Sequence, residues 1–444
     1  MQRFSEAEHT YHIMQNASRE LGNAFSSVFA CRGLATSYEM LGAVAVAKGA
    51  GAEAEDNYRK AISILQELVQ EKTSIIVLQD LSACYMRFGD LCFYRKAFSD
   101  AKGYYRKIIE IEESIQDLAE GAESRQRLAI GYERLGDCYE ELGDPEHAEK
   151  YFLKYLSVSG KILEERLDAG SRVDFAVGNY KMGGIREARG DLLGAEMYYR
   201  KGVSVMEEVA RDTETRMMRR YLATMYDSVG GVCEMRGDFE TAEAYYLKGL
   251  GIVSALADET EWIEVSRGLA GSCERLGFVA EKQGALERAY KYYSEALTLV
   301  RKTEEKTDWV EIRRDHAVVL ERLSDVLGAM GDSENAEKYA RDSLEKRVQI
   351  VKKTRTPQSL DDLGISYYKL SAFLEGEKKV ECLKKALNIY ERLVTQCPKI
   401  QRYVQNRNVI RSELDKLQPP RPSSGSPNDM LAAMQGLWNK KDGS

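Results

Sequence analysis

The sequence predicts an all-α fold, a stack of antiparallel helix pairs wound into an α-α superhelix. Three observations carry this. An alanine recurs every 47 residues, at Ala7, Ala54, Ala101, Ala148, Ala195, Ala242, Ala289 and Ala336. An aromatic follows it four residues later at Tyr11, Tyr58, Tyr105, Phe152, Tyr199, Tyr246 and Tyr293, with Ala340 in that place at the eighth. Twelve residues before each alanine from the second onward stands Gly42, Gly89, Gly136, Gly183, Gly230, Gly277 or Ser324, always preceded by an apolar residue. A fixed internal period of this size marks a solenoid, in which each unit buries its apolar face only against its neighbours.

Along the chain, these registers define the elements. Residues 1–23 keep only the second half of a unit: Ala7 and Tyr11 hold the register while its first helix would lie before Met1, so an upstream portion is expected. Residues 24–353 hold seven full repeats, and the stretch from Ser124 to Leu167 shows the plan. Leu128, Tyr132, Leu135, Tyr139 and Leu142 are spaced by three and four, which lays one apolar stripe along a first helix, helix A. Gly143 suits the left-handed residue that ends it, Asp144 caps the next helix, and Pro145 fits that helix's first position. Helix B then runs to about Leu167. The stop recurs at Gly49, Gly190, Gly237, Gly284 and Gly331 with Lys96 in the one gap, and the cap recurs at Asp191, Asp238 and Asp332. Gly136 and its equivalents lie inside helix A, where each costs roughly 1 kcal/mol against alanine. Their recurrence implies a close approach of helix B, expected at Ala148 and its counterparts.

Residues 354–417 read as a degenerate eighth repeat and a capping helix. Tyr367, Leu370 and Ser371 keep the period, helix B after Gly376 is expected to be about four residues short, and a polar helix from Lys399 to Leu417 covers the last apolar face. Residues 418–427, QPPRPSSGSP, form a linker. In the tail, 428–444, Met430, Met434, Leu437 and Trp438 fall at helical spacing, as a short amphipathic helix would place them to dock in this chain's groove or on another protein.

The run LGDCYEELGDPEHAEKYFLKYL, with Gly136, Tyr139, Gly143, Ala148 and Phe152 in order, resembles the tetratricopeptide repeat. The likeness recurs seven times between about Ala24 and Lys352, and the period exceeds that family's usual length of about 34 residues, as in a long-helix variant. The resemblance implies a protein-interaction scaffold whose helix A faces line a concave surface for a partner peptide or helix. One ring there would run through Glu140, Glu187, Glu234 and Glu281. A second would run through Glu39, Glu133, Asp227, Glu274 and Glu321, with Asp137 and Asp325 a turn further on. Arg87, Arg134, Lys181, Arg275 and Arg322 form a basic row beside them. The balance is acidic and suits a basic partner segment; the competing reading is that these charges pair between neighbouring repeats.

Composition excludes other classes. A net charge of −7 and a pI near 5.6 argue against nucleic acid as a main partner. Eight cysteines without a C-x-x-C pair, with Cys92 and Cys233 at one equivalent position, read as reduced core residues of a cytoplasmic protein. The N-terminus lacks an apolar leader segment and no run of about 18 apolar residues occurs, which predicts neither secretion nor a membrane span. His9 and His12 share a helix face without a third ligand, His147 and His316 stand alone, and no nucleophile motif is present. A non-enzyme without metal or cofactor is expected. The alternative is a sensor or regulatory module of a larger signalling or effector protein whose catalytic part lies outside this chain. Oligomeric state is left open.

Overall fold

The computed structural model describes residues 2–24, 28–71, 74–118, 121–213, 215–260 and 262–417, and all regular structure among them is helical. The chain divides into two compact units, Met1–Tyr245 and Tyr246–Ser444. In the first, the A helices are α2 (Val28–Ala47), α4 (Ile75–Tyr94), α6 (Ala122–Glu141), α8 (Ala169–Ala188) and α10 (Arg216–Met235). The B helices there are α1 (Gln2–Ala24), α3 (Gly51–Glu71), α5 (Phe98–Leu118), α7 (Pro145–Glu165) and α9 (Leu192–Thr213), while α11 (Phe239–Glu259) contains the division. The second unit holds α12 (Ile263–Lys282), α13 (Leu286–Glu304), α14 (Val310–Ala329), α15 (Ser333–Lys353), α16 (Pro357–Ser371), α17 (Gly376–Gln396) and α18 (Gln401–Leu417). Every A helix from α2 to α16 begins 47 residues after the one before it. Within each unit, an A helix packs on its own B helix and that B helix packs on the next A helix.

Turn chemistry makes the pairs. Gly143 adopts φ 72°, its N–H donates to the Glu140 carbonyl at 3.0 Å, and the Asp144 N–H donates to the Tyr139 carbonyl at 2.8 Å. This is the left-handed helix stop, open to glycine without a Cβ penalty. Asp144 then accepts from the His147 N–H at 3.2 Å, and Asp191, Asp238 and Asp332 cap α9, α11 and α15 in the same way. Lys96 fills the same left-handed position at φ 60° without the freedom of glycine.

The register glycines serve the aromatic, not the alanine. A Cβ built on Gly183 would lie 2.4 Å from the Tyr199 ring, and on Gly136 2.5 Å from the Phe152 ring, with Gly42, Gly89 and Gly277 meeting Tyr58, Tyr105 and Tyr293 likewise. The expected contact of helix A with Ala148 is therefore corrected: helix A yields its side chain to the ring one turn further along helix B. Tyr105, Phe152 and Tyr293 are completely buried in consequence. Where the ring is missing, at Ala340, the glycine is missing too, and the Ser324 hydroxyl donates to the Ala336 carbonyl at 2.8 Å instead.

The eighth repeat loses its residues from helix A, not from helix B as expected. Its A helix, α16, has 15 residues against 20 in α14, while α17 keeps 21. The ring contact re-forms in a new register, with Gly364 against Tyr390. Tyr403, Ile410 and Leu414 of α18 are buried in a cluster with Leu383, Ala386, Tyr390 and Leu393 of α17, which closes the stack at that end. Met430, Met434, Leu437 and Trp438 lie outside the described residues. No described helix is long and apolar enough to cross a membrane.

Candidate protein-binding face

The A helices of successive repeats lie close enough for their charges to meet. In the first unit Glu39 of α2 pairs with Arg87 of α4, Asp90 of α4 with Arg134 of α6 at 3.6 Å, and Asp137 of α6 with Lys181 of α8 at 2.8 Å. The basic row therefore neutralises part of the acidic rows from one repeat to the next. A second set links the end of a helix A to the preceding helix B: Arg95 to Glu55 at 2.8 Å, and Arg189 to Glu149. Each pair at such partly exposed positions contributes at most about 1 kcal/mol.

Asp137 is buried against Lys181. Glu133, half-buried one turn earlier, has its pKa raised by loss of water and then by the neighbouring Asp137 carboxylate. In the other ring, Glu187 accepts from the Tyr199 hydroxyl at 2.8 Å, while in the repeat of Glu140 the residue at the position of Tyr199 is Phe152, which has no hydroxyl to give. Glu140 is open to solvent on one side, yet protein on its flanks displaces water and raises its pKa against the pull of Lys181. Asp227 and Glu234 are half-buried on α10.

In the second unit Glu274 meets Arg322 at 3.0 Å, Asp325 meets Lys369 at 2.6 Å, and Glu281 accepts from the Tyr293 hydroxyl at 3.0 Å. Glu321 accepts from Ser343 at 3.0 Å, from Ser366 at 2.6 Å and from Arg347 at 3.4 Å. Most of the residues read from the sequence as a binding strip thus have partners inside the stack.

What the sequence reading missed is a hollow of about 470 Å³ beside α12 and α14. Trp309, Val318 and Val319 form one side of its lining, and Gly268, Gly271 and Glu264 line it from α12. Trp309 is the N-cap residue of α14 and is 45 % exposed; Trp262, 47 residues earlier, is the N-cap residue of α12 and is 52 % exposed. Neither side chain makes a capping hydrogen bond, whereas Ser74, Asp168, Thr215 and Thr356 do so at the same position of other repeats. The signal was available in the sequence as two tryptophans one period apart.

The buried thiols offer no nucleophile: burial raises the pKa of Cys92 to about 11 and of Cys138 to about 12, which keeps both protonated. No group of three or more metal-ligating side chains occurs among the described residues.

The family pattern of the tetratricopeptide repeat matches residues 129–161, which fall on α6 and α7. No curated protein sequence matches the chain. Among solved structures, the apo form of RapI is similar with a TM-score of 0.56 at 14% identity, over 86% of this chain and 99% of that one. A signal transduction ATPase with a tetratricopeptide repeat sensor, PH0952 from Pyrococcus horikoshii, is similar with a TM-score of 0.52 at 15% identity, over 91% of this chain. The chain spans 55% of that ATPase's length. Residues 129–161 thus form a repeat of the tetratricopeptide type by their own sequence, and the neighbouring repeats are built on the same plan of glycine, alanine and ring.

Proposed function

We propose that the protein is a non-catalytic interaction scaffold that holds a segment of a partner protein against its A helices. The observation that carries this reading is the pair of tryptophans at the starts of α12 and α14. A capping side chain is worth about 1 kcal/mol, and a large exposed ring favours association. Both repeats forgo the first and present the second, at equivalent positions in consecutive repeats. Local rules broken in this way are expected where a surface is kept for binding. Glu264 and the other carboxylates on α12 and α14 favour a basic partner segment, and ion pairs such as Glu274 with Arg322 keep these two helices in register.

A second reading, a sensor module serving a catalytic part elsewhere, is favoured by the likeness to a signal transduction ATPase that carries a tetratricopeptide repeat sensor. Both readings place the bound segment on the same face.

The test is affinity capture from source-cell lysate with the full chain and with Trp262→Ser/Trp309→Ser, followed by mass spectrometry. Serine caps a helix A elsewhere in this chain, so the variant keeps its fold. A protein captured by the native chain and lost by the variant supports the scaffold. Capture of the same proteins by both contradicts it.

A further inference from the structure

Helical glycines in this protein differ in the room around them, and at Gly103 of α5 and Gly251 of α11 an added Cβ would meet nothing within 4 Å. Those of the ring register have no room for a side chain, because a Cβ would lie within 2.4 to 2.8 Å of an aromatic ring. Gly268 and Gly271 of α12 differ. A Cβ on Gly268 would meet only Val253 at 3.5 Å, and on Gly271 only the Arg275 guanidinium at 3.7 and 3.9 Å, which are ordinary contacts. Nothing in the packing calls for glycine at either place, and each costs helix stability of about 1 kcal/mol. Both line the hollow below Trp309. Bare backbone there lets another molecule come close to the helix.

We propose that this hollow is a specificity pocket for one long cationic side chain, lysine or arginine, of the bound partner segment. The proposal rests on the interaction-scaffold reading and names what the face recognises. Val318, Val319 and the Trp309 ring supply an apolar wall for the aliphatic stem, in the way long basic side chains lie along apolar surface. The ring also offers its face to a cation. The charged groups around the hollow decide the sign. Arg267 is neutralised by Asp315 at 2.6 Å, Glu274 by Arg322 at 3.0 Å, and the Arg275 guanidinium stands over the Tyr246 ring, 5.6 Å from its centre. Glu264 is exposed in the first turn of α12 and has no ion-pair partner among the described residues. Its carboxylate is the one open to an incoming ammonium or guanidinium, and the three carboxylates of the lining, Glu264, Glu274 and Asp315, outnumber its two guanidiniums, Arg267 and Arg275. The volume accepts one such side chain with the backbone that carries it.

The experiment uses the full chain with Trp262→Phe and Trp438→Phe, which leaves Trp309 as the one tryptophan of the three. Fluorescein-labelled, N-acetylated tetra-arginine amide and tetraglutamate amide are titrated in turn, reading Trp309 emission and peptide anisotropy together. The expected result is a saturable change in Trp309 emission with the arginine peptide alone, an affinity at least fivefold weaker in Glu264→Gln, and no emission change in Gly271→Leu. Circular dichroism of both variants checks that helicity is kept. Binding of the arginine peptide with Trp309 silent, or equal binding by Gly271→Leu, overturns the pocket while the scaffold reading stands on its capture result. Preference for the glutamate peptide, or binding of neither, overturns the pocket and the basic partner with it.

Discussion

A single glycine decides whether a helix pair closes. Gly183 sits opposite Tyr199, which is buried to 4 % exposure, and the nearest ring atoms leave no space for even one added carbon. Gly183→Leu is expected to destabilise the protein by more than about 2 kcal/mol through overpacking, measured as the shift in urea unfolding. The opposite change improves the protein at Lys96, the non-glycine residue at φ 60° among the described stops. An L residue there carries roughly 1 kcal/mol of strain, so Lys96→Gly should raise stability by about that amount in the same assay. These packing relations explain what was legible in the sequence and what was not. The period exposed the glycine, the alanine and the ring as separate registers, since each is a local constraint repeated. Which of the two helix B residues fills the space above the glycine depends on the rotation of one helix against another, and spacing alone assigned it to Ala148 instead of Phe152.

Helix pairs also differ in what holds them to their neighbours. At the junction of α13, α14 and α15, Glu304 accepts from Lys346 at 2.9 Å and from Arg313 at 3.2 Å and lies 2.5 Å from His316. Burial opposes the Glu304 charge, yet its partners outweigh that and hold its pKa at about 2. Burial lowers the pKa of His316 despite the adjacent carboxylate. Both shifts act in one direction. A depressed carboxyl pKa gives stability that is present above the unfolded value and lost as pH falls towards the folded one. A depressed histidine pKa means that the unfolded chain takes up the proton first, so stability falls as pH drops below about 6.5. The second unit should therefore lose stability from about pH 6.5 downward, and His316→Gln should flatten the upper part of that slope; thermal unfolding between pH 7 and pH 4 checks it. None of this was legible beforehand, because His316 stands alone in the sequence and its partners come from three different helices. The charged rows on the A helices were legible as rows. Their partners were not, since a pair such as Glu274 and Arg322 is defined by the stacking of one repeat on the next.

Across the molecule, a uniform plan of helix pairs is interrupted at α12 and α14, and the interruption is where binding is assigned. Side-chain caps are absent there, as they are at Gly121 of α6, but here exposed tryptophans take their place, and two glycines with room for a side chain line the adjoining hollow. If the tryptophans are held for a partner, the fold does not need them. Urea unfolding of the native chain and of Trp262→Ser/Trp309→Ser tests this most directly. Each serine restores a cap worth about 1 kcal/mol, which offsets about half of the roughly 2 kcal/mol that a half-exposed ring supplies by apolar burial. The expected result is a stability within about 2 kcal/mol of the native chain's. A loss of more than about 2 kcal/mol would show that the tryptophans are packing residues and would remove the observation on which the binding face rests.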